Sequence, residues 1–254
     1  MCYDVKVSLE AQLKRAKRFG DWAAVEEIME RLAPMTDLPI HHSSGFNHPE
    51  MLIYTDEDPR FPVVATWGLV PHWVSDEEQM KKTWNNTLNA RGETIFEKPS
   101  FRESARHQRC LIYIDGFYEH HHYNKNTYPF YIYRKDKEPI VLAGLWNEWK
   151  NPDKGSFTSF SIVTTSANEL MTKIHNNPKL KAPRMPLILT DETEDKWLNP
   201  ISDDSEIQQI ESIIQSYPND LLSYHTVKRL RGKEYLGNVP EISDEVVYEE
   251  LFFE

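Results

Sequence analysis

Cys110-Leu-Ile-Tyr-Ile-Asp-Gly-Phe-Tyr-Glu119 opens on an unbroken apolar run and closes on a carboxylate. Its β-branched and aromatic content reads as one strand over 109–118. Cys110 behaves there as a small buried hydrophobe. Glu119 stands at the strand end, where a carboxylate can serve a structural ion pair or a reaction. Further strand patterns flank this run at 51–55, 63–69, 129–133, 140–146, 157–164 and 185–189, several of them heavy in Ile, Val, Tyr and Phe. Helical spacing falls at 94–106, 168–174, 193–198 and 204–217. Strands and helices mix without a steady β-α-β alternation, so the pattern predicts an α+β domain rather than a doubly wound sheet. The sequence has no P-loop, no G-x-G-x-x-G and no cysteine pair at zinc spacing.

Towards the N-terminus a short strand precedes Leu9, Leu13, Ala16 and Phe19, which recur at helical spacing. Gly20-Asp21 breaks the pattern. Asp21 then caps a second helix with Trp22, Val25, Ile28, Met29 and Leu32 on one face. Pro34 and Pro39 end it, and 34–50 reads as loop, with His41-His42-Ser-Ser-Gly45 as turn chemistry.

The 254 residues are 39% hydrophobic, enough for one large core, and no apolar run is long enough to span a bilayer. The N-terminus lacks a charged-then-apolar signal pattern, so a cytoplasmic location is expected. Cys2 and Cys110 are not expected to pair in a reducing compartment. The net charge of −11 argues against a generic nucleic-acid binder. That charge is concentrated: residues 191–206 and 241–254 carry −6 each, which leaves the remainder at +1. Arg91, Lys98, Arg102, Arg106 and Arg109 lie close together in sequence and offer a local basic surface, or a solvated face.

The second residue is a cysteine. Once Met1 is gone, Cys2 carries an α-amine and a thiol on adjacent carbons, which together trap aldehydes. The amine forms an imine, and the thiol closes a thiazolidine on the same carbon. Both groups titrate near neutrality, at about 7.7–8.0 and about 8.5.

Four segments bear on what that pair could do. They are Met1-Cys2; Trp67-Gly-Leu-Val-Pro-His-Trp73 with Asn89-Ala-Arg-Gly-Glu-Thr94; Asp115-Gly-Phe-Tyr-Glu119; and His175 ahead of Arg184-Met-Pro186. In this order they resemble the SOS-response-associated peptidase (SRAP) family, whose members crosslink to abasic sites in single-stranded DNA. The resemblance runs from Met1 to about residue 240. It implies a single domain with a strongly bent, barrel-like mixed sheet flanked by helices; by composition, an acidic tail at 241–254 follows it. It also implies catalytic roles for Cys2, Asn89, Glu119 and His175. Arg91 and Arg184 match DNA-contacting arginines, with Lys98 and Arg102 added as DNA-binding candidates from the basic run. Trp67 and Pro71 match a segment that wedges against bases, whereas Trp73 reads as core. The expected partner is abasic single-stranded DNA, met by a monomer without cofactor or metal.

The chain also departs from the family pattern. The family's N-terminus continues Cys-Gly-Arg; here it is Cys2-Tyr-Asp4, with Lys6 as the nearest compensating cation. His120 replaces a Trp. Eight residues separate His175 from Arg184, more than is usual, and 8–50 looks like a helical insertion. Glu119-His-His-His122 reads as a strand end rather than a metal site, because adjacent histidines on a strand point to opposite faces. Two other readings keep the same residues: a cysteine hydrolase using Cys2, His175 and Glu119, and a non-catalytic single-strand binder.

Overall fold

The run that starts at Cys110 divides in two. In the computed structural model, which describes residues 2–151 and 155–253, Arg109–Ile114 and Gly116–Tyr123 belong to different sheets. Asp115 is the pivot. Its N–H donates to Lys6 O at 3.0 Å, and its carboxylate accepts from Ser8 Oγ at 2.8 Å and from the Ser8 N–H. Gly116 lets the redirected strand press against its neighbour, since a Cβ there would lie 2.5 Å from Ile132 O.

The strands in chain order are β1 Asp4–Val7, β2 Ile40–Ser44, β3 Glu50–Thr55, β4 Val63–Trp67, β5 Asn89–Arg91, β6 Arg109–Ile114, β7 Gly116–Tyr123, β8 Asn126–Arg134, β9 Ile140–Asn151, β10 Gly155–Ser166, β11 Arg184–Pro186, β12 Ile188–Leu189 and β13 Leu222–Thr226. In the larger sheet β10, β4, β3, β6 and β9 follow one another, and β9 pairs again with β10, which closes a ring. Within that ring only β10 with β4 is parallel. The expected bent, mixed, barrel-like core is this ring. The second sheet runs β13-β8-β7-β1-β2.

One apolar cluster joins Ile112, Leu142, Phe160 and Ile162 of the ring to Val5, Phe117, Phe130 and Ile132 of the second sheet, so the layers share a core. The ring's other side is covered by α6 (Glu194–Trp197) and α7 (Asp204–Ile213), which set Trp197 and Ile210 against Leu111, Tyr113 and Val141. The remaining helices are α1 Leu9–Arg18, α2 Trp22–Glu27, α3 Glu77–Thr83, α4 Arg102–His107 and α5 Glu169–Ile174.

Local chemistry explains α1. Ser8 caps it by accepting from Ala11 N at 3.1 Å, Glu10 lies in its first turn, and Arg15, Lys17 and Arg18 lie in its last. Asp21 caps α2 as expected. The anticipated apolar face there is narrower, because Trp22 and Met29 are exposed and Val25 and Ile28 carry the packing. The expected loop over 34–50 contains strand β2, which pairs with β1, and His42 is buried within it. The C-terminal residues also dock: Tyr248, Leu251 and Phe253 pack on the main cluster, and Val246 N donates to Thr226 O at 2.8 Å. Among the described residues no helix is long and apolar enough to cross a membrane.

Candidate active site

Strand β1 carries the chain start to the edge of a cavity. It pairs antiparallel with β7, Asp4 opposite Tyr118 and Val5 opposite Phe117, so the residues before Asp4 run beside Glu119 and His120. Strand β5 brings Asn89 to the same place, and its Nδ2 donates to Cys2 O at 2.9 Å. Helix α5 is capped at its start by Asn168, and His175 follows its last turn. His175 Nδ1 lies 2.9 Å from Arg184 O and 3.8 Å from Glu119 Oε2. The Arg184 backbone thus fixes the ring through Nδ1, with its carbonyl at 2.9 Å and its N–H at 3.3 Å. Glu119 Oε1 accepts from His120 N at 3.0 Å.

Burial sets the electrostatics. It pushes His175 below the ordinary histidine range and outweighs the opposing pull of Glu119. His120 is lowered for the same reason. The Cys2 thiol is raised far above the ordinary thiol range by burial and then by the Glu119 charge. Cys2 is 1% exposed in the chain with Met1 still attached. Met1 itself lies outside the described residues.

Between β7 and the segment after β13 opens a cavity of about 490 Å³, lined by Tyr3, Asp4, Glu119, His120, His175 and Arg231 among others. A carboxylate and a neutral imidazole therefore face one opening beside the cysteine backbone. This pairing can move protons at neutral pH.

The four expected catalytic residues, Cys2, Asn89, Glu119 and His175, are brought together. The expected DNA contacts are mostly not. Trp67 is wholly buried: its ring packs against Phe160, Gly45 lies flat on it, and its Nε1 donates to Leu88 O at 2.8 Å. No face of it is offered to a base, which corrects the wedge expectation. Pro71 is buried as well. Trp73, expected in the core, is 41% exposed.

Arg184 is buried and clamped. Its guanidinium donates to Glu93 at 3.1 and 2.7 Å and to Thr164 O at 2.8 Å. That fork is occupied, so Arg184 acts here as a strut, and the carbonyl it positions holds His175. The Glu of N-A-R-x-E-T and the Arg of R-M-P are thus partners. The long spacing does not separate the two motifs, because Asn176 ties the intervening loop to β7 through the His122 backbone at 2.7 and 3.0 Å. Arg91 is exposed, two residues from Asn89. Lys98 and Arg102 are exposed but do not line the cavity.

Asp4, the acid found where the family has an arginine, is buried. Its carboxylate lies 3.2 Å from His42 Nε2 and accepts from Arg231 at 3.3 Å. Burial opposes its ionisation, but His42 and Arg231 together hold it below the usual carboxylate range. Lys6 does not compensate at this site, because its Nζ donates to Ser243 Oγ at 2.9 Å and faces a different pocket. Arg229 and Arg231 line the cavity and were missed by sequence reasoning. Their signal was present as Lys228-Arg-Leu-Arg-Gly-Lys233, beyond the last motif.

The chain is similar to known proteins over most of its length. The chain is 39% identical over 177 residues to the abasic site processing protein YoqW of Bacillus subtilis, covering 69% of this chain and 73% of that one. It is 29% identical over 206 residues to the abasic site processing protein HMCES of Xenopus tropicalis, spanning 58% of its length. A crystal structure of a Bacteroides thetaiotaomicron protein superposes with a TM-score of 0.81 at 35% identity, covering 97% of this chain and all of that one. Residues 1–233 match the family described as SOS response associated peptidase (SRAP), and the chain belongs to that family.

Proposed function

We propose that this chain captures abasic sites in single-stranded DNA through the α-amine and thiol of Cys2, after autocatalytic removal of Met1. The observation that carries the reading is that Glu119 and His175 line one open cavity while Asn89 holds the Cys2 backbone beside them, so four separate segments meet there. The relatives named for abasic site processing point the same way.

Removal of Met1 replaces an amide nitrogen with an amine whose ammonium form lies beside the thiol. That charge pulls down the thiol's otherwise high pKa. The ring-opened sugar aldehyde then takes the amine, and an imine forms as water leaves. The thiolate adds to the imine carbon, the nitrogen takes a proton, and the thiazolidine closes with the net loss of one water. His175 relays the proton that opens the sugar ring. Glu119 takes a proton from the ammonium and delivers one to the departing hydroxyl; the same carboxylate assists Met1 removal. Asn89 holds the Cys2 carbonyl and so fixes the direction of attack. An imine left open would permit β-elimination and strand cleavage, and ring closure suppresses that lyase route. The protein acts as a monomer in the cytoplasm.

Intact-mass measurement before and after mixing with abasic single-stranded DNA tests this. Protein lacking Met1 should form a heat-stable adduct at the expected mass, and Cys2→Ala should form none. Absence of an adduct with the mature wild-type protein would overturn the reading.

A further inference from the structure

We propose that Arg229 and Arg231 form a phosphate-binding arm on the rim of the cavity that Glu119 and His175 line, holding the backbone of the strand whose sugar the cysteine captures. This rests on the abasic-site reading above. Lys228-Arg-Leu-Arg-Gly-Lys233 places four cations in six residues of a chain whose net charge is −11. The segment is fixed in place: Val227 and Leu230 are buried in one cluster with Tyr118, Tyr131 and Ile242. That anchorage directs Arg229 and Arg231 into the cavity that Glu119 and His175 also line.

Each guanidinium is held from behind. Arg229 sits 5.2 Å over the Tyr128 ring and 5.6 Å over Tyr248, and donates to Thr127 O. Arg231 donates one N–H to Asp4 Oδ2 at 3.3 Å, while its side chain stays 65% exposed. A guanidinium has five N–H donors in a planar fork, so the tether to Asp4 leaves an edge for a phosphate oxygen pair. Asp4, where the family has an arginine, thereby recruits an arginine from 227 positions along the chain. The arm supplies cavity charge that Arg184, clamped by Glu93, does not.

Salt dependence of binding to undamaged single-stranded DNA decides the matter. Each phosphate contact contributes about 0.7 to the slope of log affinity against log salt for single strands. Arg231→Gln should reduce the slope by about that amount, and Arg231→Lys should restore most of it. Arg229→Gln should act in the same direction. In adduct formation, Arg231→Gln should raise the DNA concentration needed for half-maximal rate by a larger factor than it lowers the rate at saturating DNA. An Arg231→Gln protein with a wild-type unfolding midpoint and a wild-type slope would overturn the arm. If the wild-type protein forms no adduct, the capture reading fails, and the slope on undamaged strands still judges the arm.

Discussion

Asn89 and His175 touch the cysteine segment and the cavity by different means, and substitutions should separate them. Asn89 gives Cys2 one hydrogen bond, whose net worth to folding is about 1 kcal/mol. Asn89→Ala should therefore lower the unfolding midpoint by only about 2–4 °C, yet slow adduct formation at saturating abasic DNA; an unchanged rate would remove Asn89 from the mechanism. His175 and His120 make a prediction about acid. Burial lowers both in the folded state, so below about pH 6.5 the unfolded chain takes up protons first. Stability should be fully held above that pH and fall as pH drops toward the folded-state values. A His120→Gln, His175→Gln double variant should lose less of its thermal midpoint between pH 6.5 and 5 than the wild type, measured by calorimetry. An equal loss would place the acid sensitivity elsewhere. At this scale the aminothiol of Cys2 was legible from residue type, whereas Asn89, Glu119 and His175 were marked only by the motifs that resemble the SRAP family. The two tryptophans of W-G-L-x-P-x-W were not. Both look alike in sequence, and only the tertiary contacts of Gly45, Phe160 and Leu88 decide that Trp67 is inside and Trp73 outside.

Helix α1 shows how an element is held by charge as well as by its apolar stripe. Arg15 is 2% exposed and donates to Pro59 O and to Asp195, each at 2.6 Å, while Glu194, equally buried, lies 3.6 Å from it and also contacts Arg18. Tyr113 OH donates to Glu194 at 2.6 Å. The cluster fastens α1 to α6 across the strand β6. Asp195 is 57% exposed and Glu194 keeps Arg18 and Tyr113, so removing Arg15 costs less than breaking an isolated buried pair, about 1–3 kcal/mol. Arg15→Ala should lower the thermal midpoint by roughly 2–12 °C, at about 2–4 °C per kcal/mol for a domain of this size. Arg15→Met with Glu194→Gln should recover much of that loss. A single variant within a degree of wild type would show that water already screens the cluster. The sequence marked α1, its Asp21-capped successor and most strands, because their periodicity is local. It did not reveal β2, β5 or β13. These are edge or short strands whose identity depends on the partner they lie against: β2 on β1, β5 on β10, β13 on β8. The division of 109–118 was likewise hidden, since Asp115-Gly116 looks like a continuation until Ser8 supplies the contact that turns the chain.

Closure of the ring is the property of the whole molecule on which the site depends. β10 pairs with β9, β4, β5 and β11 at once, and so connects the Asn89 strand to the Arg184 strand that holds His175. Anything that forces β9 away from β10 or β6 should disturb the placement of Asn89 and His175 together. Gly144 lies at that junction, opposite Ile162 on one side and Cys110 on the other. A Cβ at 144 would fall 2.4 Å from Ile112 Cδ1, 2.6 Å from Cys110 Sγ and 3.3 Å from Ser161 O. The two side-chain atoms point into the closed interior, so they have little room to retreat. Gly144→Ala should therefore cost about 1–3 kcal/mol through overpacking. Removing the sulfur makes space where the methyl needs it, so Cys110→Ala should rescue part of the loss. The double variant should be more stable than the sum of the single effects by more than the few tenths of a kcal/mol expected for independent sites. Denaturant unfolding of the four proteins completes the cycle. Strict additivity would mean that the new methyl is accommodated by movement of β9 itself. In that case the adduct rate should fall with stability, because the shift would reach Asn89 and His175 through β10.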